Sequence, residues 1–148
     1  MELAYEFTMN VELERPRPIG SLAEGRRVVV PIVGGTVTGD RINGSVIGPG
    51  ADWPLIRNDG FTSLDVRIQI DCGDKAMIYM AYTGLLELNE AAQQALAGGE
   101  TSFDDQYFRT IPRLMSGHPD YSWVNTTLFA ARGRLLPGGV EYEVYRIP

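Results

Sequence analysis

The sequence predicts an all-β protein, an antiparallel β-barrel of about eight to ten strands with one short helix. Two stretches alternate apolar and polar residues over the length of a strand, from Leu3 to Leu13 and from Leu64 to Cys72. Turns rich in glycine and proline separate these and the other apolar segments at short intervals. Such a chain should close into a barrel or fold into a sandwich, and we prefer the barrel because closure removes exposed strand edges.

The first half of the chain predicts four segments of β-structure. In order, they are Leu3–Leu13, Gly25–Ile32, Thr36–Thr38 and Arg41–Ile47. Two prolines in Glu14–Gly20 end the first strand, and Pro31 indicates a sheet edge or a bulge in the second. Gly39-Asp40 is predicted to turn the chain between the third and fourth. We also expect a turn at Gly48-Pro49-Gly50.

The second half predicts five more strands and the one helix. The strands are Leu64–Cys72, Ala76–Leu88, Phe103–Arg113, Tyr121–Leu135 and Val140–Ile147. Gly73-Asp74 and Pro137-Gly138-Gly139 are predicted to be turns between neighbouring strands. The alanine-rich segment Asn89–Ala97 predicts a helix, because asparagine favours the cap position and two glycines follow its end.

Length and composition bound the class of protein. A chain of 148 residues favours one domain, residues 1–148. The net charge of −6 argues against nucleic-acid binding, which needs clustered positive charge. Cys72 is the only cysteine, so an internal disulfide is excluded and a reducing cytoplasm is expected. No signal peptide or membrane-length apolar run is found, and we expect a soluble cytoplasmic protein.

Familiar catalytic motifs are weak in this sequence. The single histidine, His118, lies in a proline-flanked loop without a nucleophile motif, and a surface position is the simpler interpretation. One histidine without a cysteine pair does not build a common transition-metal site. Gly48 and Gly50 lack the third glycine and the helix of a dinucleotide fingerprint. The sequence therefore predicts neither metal nor cofactor.

Polar residues that suit a small-molecule site lie in the last part of the glycine-rich stretch from Val33 to Gly60 and recur on later strands. We place four of them in the barrel interior: Arg67, Tyr79, Arg109 and Asn125. The Gly48–Gly60 segment would form the mouth. Two alternatives stay open: Asp65 and Arg67 equally suit a surface pair, and Asp52 and Asp59 suit side-chain caps of turns.

Several motifs occur in a specific order along the chain. They are G-G-x-x-x-G from Gly34, G-A-D-W, D-G, F-R-T-x-P and Y-x-W-x-N. In these motifs, and over nearly its whole length, the sequence resembles the bacterial and fungal family named domain of unknown function 3237. The resemblance implies a compact antiparallel barrel that forms homodimers or larger homo-oligomers. It also implies a cofactor-free lyase, isomerase or hydrolase.

The hypothesis that follows is a cofactor-independent enzyme that uses acid–base chemistry on a small oxygenated or aromatic compound. The predicted catalytic residues are Asp52, Asp65, Tyr79 and Arg109. The predicted substrate-binding residues are Trp53, Arg57, Asp59, Arg67, Trp123 and Asn125. Two alternatives are a non-catalytic carrier that encloses a small ligand and an interaction domain with a hydrogen-bonded interior.

Overall fold

Ten strands account for most of the computed structural model, which describes all 148 residues. Eight of them pair in the order β1-β10-β9-β8-β7-β6-β4-β3, and β3 pairs again with β1. This last pairing closes the barrel, and every pairing is antiparallel, so the predicted fold is confirmed. The strands are β1 (Ala4–Leu13), β2 (Arg17–Leu22), β3 (Gly25–Gly39), β4 (Gly44–Asp52), β5 (Leu55–Arg57), β6 (Phe61–Asp71), β7 (Met77–Glu87), β8 (Phe108–Met115), β9 (Leu128–Leu136) and β10 (Gly139–Ile147).

Two short strands lie outside the closed ring and extend its wall at one end. β2 pairs with the first part of β3, and β5 bridges β3 and β6. β3 pairs with strands of the closed ring and also with β2 and β5, because it is a single strand of 15 residues. The two strands predicted at Gly25–Ile32 and Thr36–Thr38 are therefore one. A register shift against β1 near Gly34 lets this strand bend without breaking.

Gly48-Pro49-Gly50 lies within β4, so the predicted turn is wrong. The peptide bond before Pro49 is cis. The register between β4 and β6 shifts between Ile47 and Ala51, and a bulge takes up the three residues. Because proline cannot donate a ladder hydrogen bond, a bulge accommodates it inside a sheet.

The predicted strand Tyr121–Leu135 begins too early. Pro119–Thr126 forms a 3-10 helix, and β9 starts only at Leu128. Proline suits the first turn of a helix, and the Nδ1 of His118 accepts a hydrogen bond from the N–H of Asp120 at 3.2 Å. The predicted strand Phe103–Arg113 also begins too early, because β8 starts at Phe108.

The predicted helix is confirmed as α1 (Glu90–Leu96). The Oδ1 of Asn89 accepts a hydrogen bond from the N–H of Ala92 at 2.9 Å, which is the expected cap. Ala92 and Ala95 are buried against the barrel end. Neither helix has the length and apolarity that crossing a membrane requires.

The core is distributed unevenly along the barrel. One half is filled by fully buried side chains, among them Phe7, Met9, Ile42, Ile68, Ile70, Ile78, Met80, Val124, Phe129 and Val144. The 3-10 helix contributes Val124 and lies across this packed half. The other half, where α1 and β5 lie, encloses a cavity.

Candidate functional site

A cavity of about 570 Å³ occupies the hollow half of the barrel and opens at its end. This volume is within the range of small-molecule sites in proteins. Most of its wall is apolar, with side chains such as Val28, Ile32, Leu64, Val66, Leu86 and Phe108. No group of three histidine, cysteine, aspartate or glutamate side chains lies together in a way that could hold a metal ion.

Asp52 brings a carboxyl group to this apolar wall. It is the last residue of β4, opposite Val30 of β3 and Val66 of β6. Its Oδ1 accepts a hydrogen bond from the N–H of Asp65 at 3.1 Å. Burial raises the pKa of Asp52 to about 7, and the nearby charge of Asp65 adds to the rise while the hydrogen bond opposes it. Near neutral pH the group can therefore both accept and give up a proton.

Two tyrosines border the same cavity as Asp52. Tyr82 of β7 and Tyr142 of β10 are each 3% exposed, and their rings meet edge to face with centroids 5.2 Å apart. The ring of Phe108 packs against Tyr142 in the same way at 5.4 Å. These contacts fix the position of both rings.

Burial raises the pKa of both tyrosines, and the charge of Asp52 raises each of them further. Tyr82 and Tyr142 therefore remain neutral at physiological pH and can donate hydrogen bonds. A titratable carboxyl and two neutral phenols share one apolar cavity. Such a set can move a proton and stabilise the oxyanion that forms when it moves.

The predicted interior placement of Arg67, Tyr79 and Arg109 is wrong. All three side chains are exposed, because the alternation of β6, β7 and β8 turns the opposite parity inward. Asp65 shares the outer face with Arg67, and both border a shallow cleft there beside Trp53. The backbone of Asp65 reaches the site through its N–H, but its carboxylate does not enter the cavity.

The Gly48–Gly60 segment supplies part of the cavity wall, through Asp52, Pro54 and Ile56. Its other predicted residues lie outside. Arg57 and Asp59 form an ion pair with each other.

Trp53 is 49% exposed, and its carbonyl accepts a hydrogen bond from Arg27 at 2.8 Å. Its own N–H donates to the carbonyl of Asp65 at 2.9 Å. These contacts hold the wall at the level of Asp52.

Trp123 and Asn125 belong to the packed half of the barrel. The guanidinium of Arg41 lies 3.6 Å from the ring centroid of Trp123. The amide of Asn125 binds both backbone groups of Ser116, with an acceptor contact and a donor contact of 2.8 Å each. Asn125 therefore ties the 3-10 helix to the end of β8, and the predicted interior position of its side chain is wrong.

Tyr82 and Tyr142 were missed as site residues in the sequence prediction, although their strand parity was visible. Tyr82 is in phase with Ile78 and Met80, and Tyr142 is in phase with Val140 and Val144. A tyrosine hydroxyl within an otherwise apolar series is the sequence signal that indicates each of them as a site residue.

Comparisons with known proteins agree with this architecture. A UPF0311 protein of Clostridium acetobutylicum is 33% identical over 150 residues, which cover 99% of this chain and 95% of the relative. The crystal structure of a conserved protein of unknown function from Rhodopseudomonas palustris matches with a TM-score of 0.90 and 28% identity, over 99% of this chain and 97% of the other.

An enzyme from Penicillium herquei shares the fold alone, with a TM-score of 0.69 and 15% identity over 97% of this chain and 93% of the other. The family model described as "Protein of unknown function (DUF3237)" matches residues 1–147. The chain belongs to this DUF3237 family of β-barrel proteins.

Proposed function

We propose that the protein is a cofactor-independent enzyme that transfers protons on a small oxygenated or aromatic compound in the barrel cavity. The observation that carries this proposal is the carboxyl group of Asp52, whose pKa burial raises to about 7, in a cavity with two neutral phenols. A general base works best when its pKa lies near the working pH.

The chemistry assigned to each residue follows from its charge state. Ionised Asp52 removes a proton from a carbon next to a carbonyl group. Tyr82 and Tyr142 donate hydrogen bonds to the carbonyl oxygen as it becomes an enolate. Returning the proton to another carbon gives an isomerase, and loss of a leaving group from the enolate gives a lyase.

Hydrolysis uses the same groups. Ionised Asp52 then takes a proton from a water molecule as its oxygen attacks an ester or lactone carbonyl. The two phenols stabilise the tetrahedral oxyanion in place of the enolate. When this intermediate collapses, the C–O bond breaks and the leaving alkoxide takes the proton from Asp52.

The second candidate is a carrier that encloses the same class of compound without converting it. The largely apolar wall favours this reading, since apolar surface supplies affinity and the few polar groups only orientation. In that case the Asp52 carboxyl serves binding alone.

Deuterium exchange tests the proposal. Aryl ketones, cyclic ketones and lactones are incubated with the protein in D₂O, and proton NMR follows the loss of α-proton signals and the opening of lactones. We expect at least one compound to react with the native protein. Asp52→Asn should slow that reaction by about 100-fold or more, because it removes the base.

The variant Asp65→Asn tests which of the two aspartates proposed from the sequence acts as the base. It should keep most of the rate and shift the pH profile downward, because loss of its charge lowers the pKa of Asp52. Reaction that persists in Asp52→Asn, or a native protein inert toward the whole panel, would contradict the proposal.

A further inference from the structure

We infer that the ligand of the cavity is an amphipathic carboxylate whose apolar body lies inside and whose charge is held at the mouth by Arg15 and Arg26. The inference rests on the proposed function in one respect, because it takes the cavity as the site where the ligand binds. It adds the chemical class of that ligand, which Asp52 and the two tyrosines do not specify.

Arg26 is set toward the cavity by strand alternation. It shares the inward parity of β3 with Val28, Val30 and Ile32, and all four border the cavity. Its backbone lies opposite Ile56 of β5, which also borders the cavity. Arg26 is therefore the charged residue at the mouth end of an otherwise apolar series of side chains on β3.

The next residue, Arg27, has the opposite parity and is occupied elsewhere, because its guanidinium donates to the carbonyl of Trp53.

Arg15 reaches the same mouth from the chain that follows β1. Glu14 is the carboxylate beside it, and that carboxylate is already paired with Arg17 at 3.2 Å. Arg15 and Arg26 themselves make no ion pair or side-chain hydrogen bond within the chain. Two free guanidinium groups therefore stand at the mouth of an apolar cavity in a protein with a net charge of −6.

The guanidinium group matches a carboxylate by geometry as well as by charge. Its planar fork of N–H donors forms two parallel hydrogen bonds with the two carboxylate oxygens. A positive mouth on an acidic protein also raises the local concentration of anions. The apolar walls behind it require that the rest of the ligand be apolar.

The backbone gives the length of the ligand. Asp52 lies opposite Val30, and Arg26 is four residues from Val30 along the same strand. Four residues of β-strand span about 13 Å. A carboxylate held at Arg26 and the atoms near Asp52 therefore lie on the order of 10 Å apart.

A pair of matched probes tests the inference by isothermal titration calorimetry at pH 7 and low salt. Octanoate and 1-octanol have the same apolar chain and differ in charge. We expect the native protein to bind octanoate about tenfold more tightly, and added salt to reduce the difference. In the double variant Arg15→Gln with Arg26→Gln, the preference should disappear while 1-octanol binds as before.

Arg113→Gln is the control variant, since Arg113 is likewise unpaired and exposed but lies on the outer face of β8. It should keep the tenfold preference. Equal binding of the two probes, no saturable octanoate binding, or a preference that survives in the double variant would overturn the inference.

Asp52→Asn keeps this test separate from the proposed reaction. The carboxylate preference should persist in that variant, whereas proton exchange should not. A lost preference with intact exchange would refute only the inferred ligand class. A retained preference without exchange in the native protein would refute only the proposed reaction.

Discussion

At the scale of single residues, Asp52 and Asp65 show how strongly a strand wall separates two carboxylates. The N–H of Asp65 binds the carboxylate of Asp52, so the residues are direct neighbours. One side chain borders the apolar cavity and the other is exposed on the outer face. Burial raises the pKa of Asp52 to about 7 and is the main cause of the rise. Asp52 alone therefore titrates near neutral pH inside the barrel.

The raised pKa of Asp52 predicts how the free energy of unfolding changes with pH. The pKa of Asp52 is raised from 3.8 to about 7 in the folded state. As the pH rises from about 4 to about 7, the unfolded chain ionises first, so this group lowers the free energy of unfolding. Above pH 7 the loss is constant. Asparagine does not titrate. The free energy of unfolding of Asp52→Asn, relative to that of the native protein, should therefore rise by up to about 4 kcal/mol between pH 4 and pH 7.

Urea denaturation of both proteins at pH 4, 5.5, 7 and 8.5 measures the difference. A difference that does not change with pH would show that Asp52 titrates normally.

The sequence identified Asp52 as a candidate but not its two tyrosine neighbours, and the reason is the composition of β7. Alternation tells which residues share a face, but only a contrast between apolar and polar faces tells which face is inside. In β6 the contrast is clear, because Leu64, Val66, Ile68 and Ile70 form an apolar series, and the predicted interior position of Arg67 goes against it. In β7 both series are largely apolar, so the sequence does not distinguish Tyr79 from Tyr82, and only the structure shows that Tyr82 faces inward.

At the scale of elements, glycine has two opposite uses that a local sequence does not distinguish. Gly73-Asp74 forms the predicted turn between β6 and β7. Gly48-Pro49-Gly50 has a stronger turn signal, yet it forms a bulge inside β4. The difference lies in the neighbours, because β3 and β6 pair with β4 on both sides of the bulge.

Gly84 shows a third use of glycine, which is to let two strands approach closely. It lies opposite Thr110, where a Cβ would collide with the carbonyl oxygen of Arg109. Gly84→Ala should force β7 and β8 apart and lower the free energy of unfolding by about 1–3 kcal/mol. Thermal denaturation measures the loss.

The matched control for this change is Gly117→Ala. No heavy atom lies within 4 Å of a Cβ built there, so its effect should stay within about 0.5 kcal/mol. Equal melting temperatures for the two variants would contradict close packing of β7 on β8.

The junction of β8 and β9 could not be predicted from either strand alone. The two strands share only two paired positions, Arg109 with Arg132 and Thr110 with Ala131. Beyond them the 3-10 helix follows, held to Ser116 by the side chain of Asn125. The apolar and aromatic residues of this segment favour a strand locally, and the tertiary arrangement overrides that preference.

At the scale of the whole molecule, the barrel has a packed half and a hollow half. β6 crosses both, with Ile68 in the packed half and Leu64 on the cavity wall. Sequence patterns predicted the barrel, its approximate strand number and its helix. They also predict a mouth at Gly48–Gly60, and Asp52, Pro54 and Ile56 of that segment border the cavity. They do not show how far the hollow half extends along the strands, because Leu64 and Ile68 are alike in sequence. The expected self-association stays a prediction until sedimentation measures the mass in solution.

The two halves should respond differently to the same kind of substitution. Ile68→Ala removes atoms that are surrounded by packed side chains, and it should cost about 2–5 kcal/mol. Leu64→Ala enlarges a space that already exists, so its cost should be clearly smaller. Chemical denaturation compares them, and equal losses would show that the cavity wall is packed as tightly as the rest of the core.

The division of the barrel also bears on how such a protein can diverge. The side chains that fill the packed core and the side chains that line the cavity occupy different ends of the same strands. Substitutions at the hollow end can therefore accumulate without weakening the packed end. Under the proposed function, a lineage could exchange one small molecule for another while its scaffold is preserved, and a protein engineer can use the same freedom to reshape the cavity.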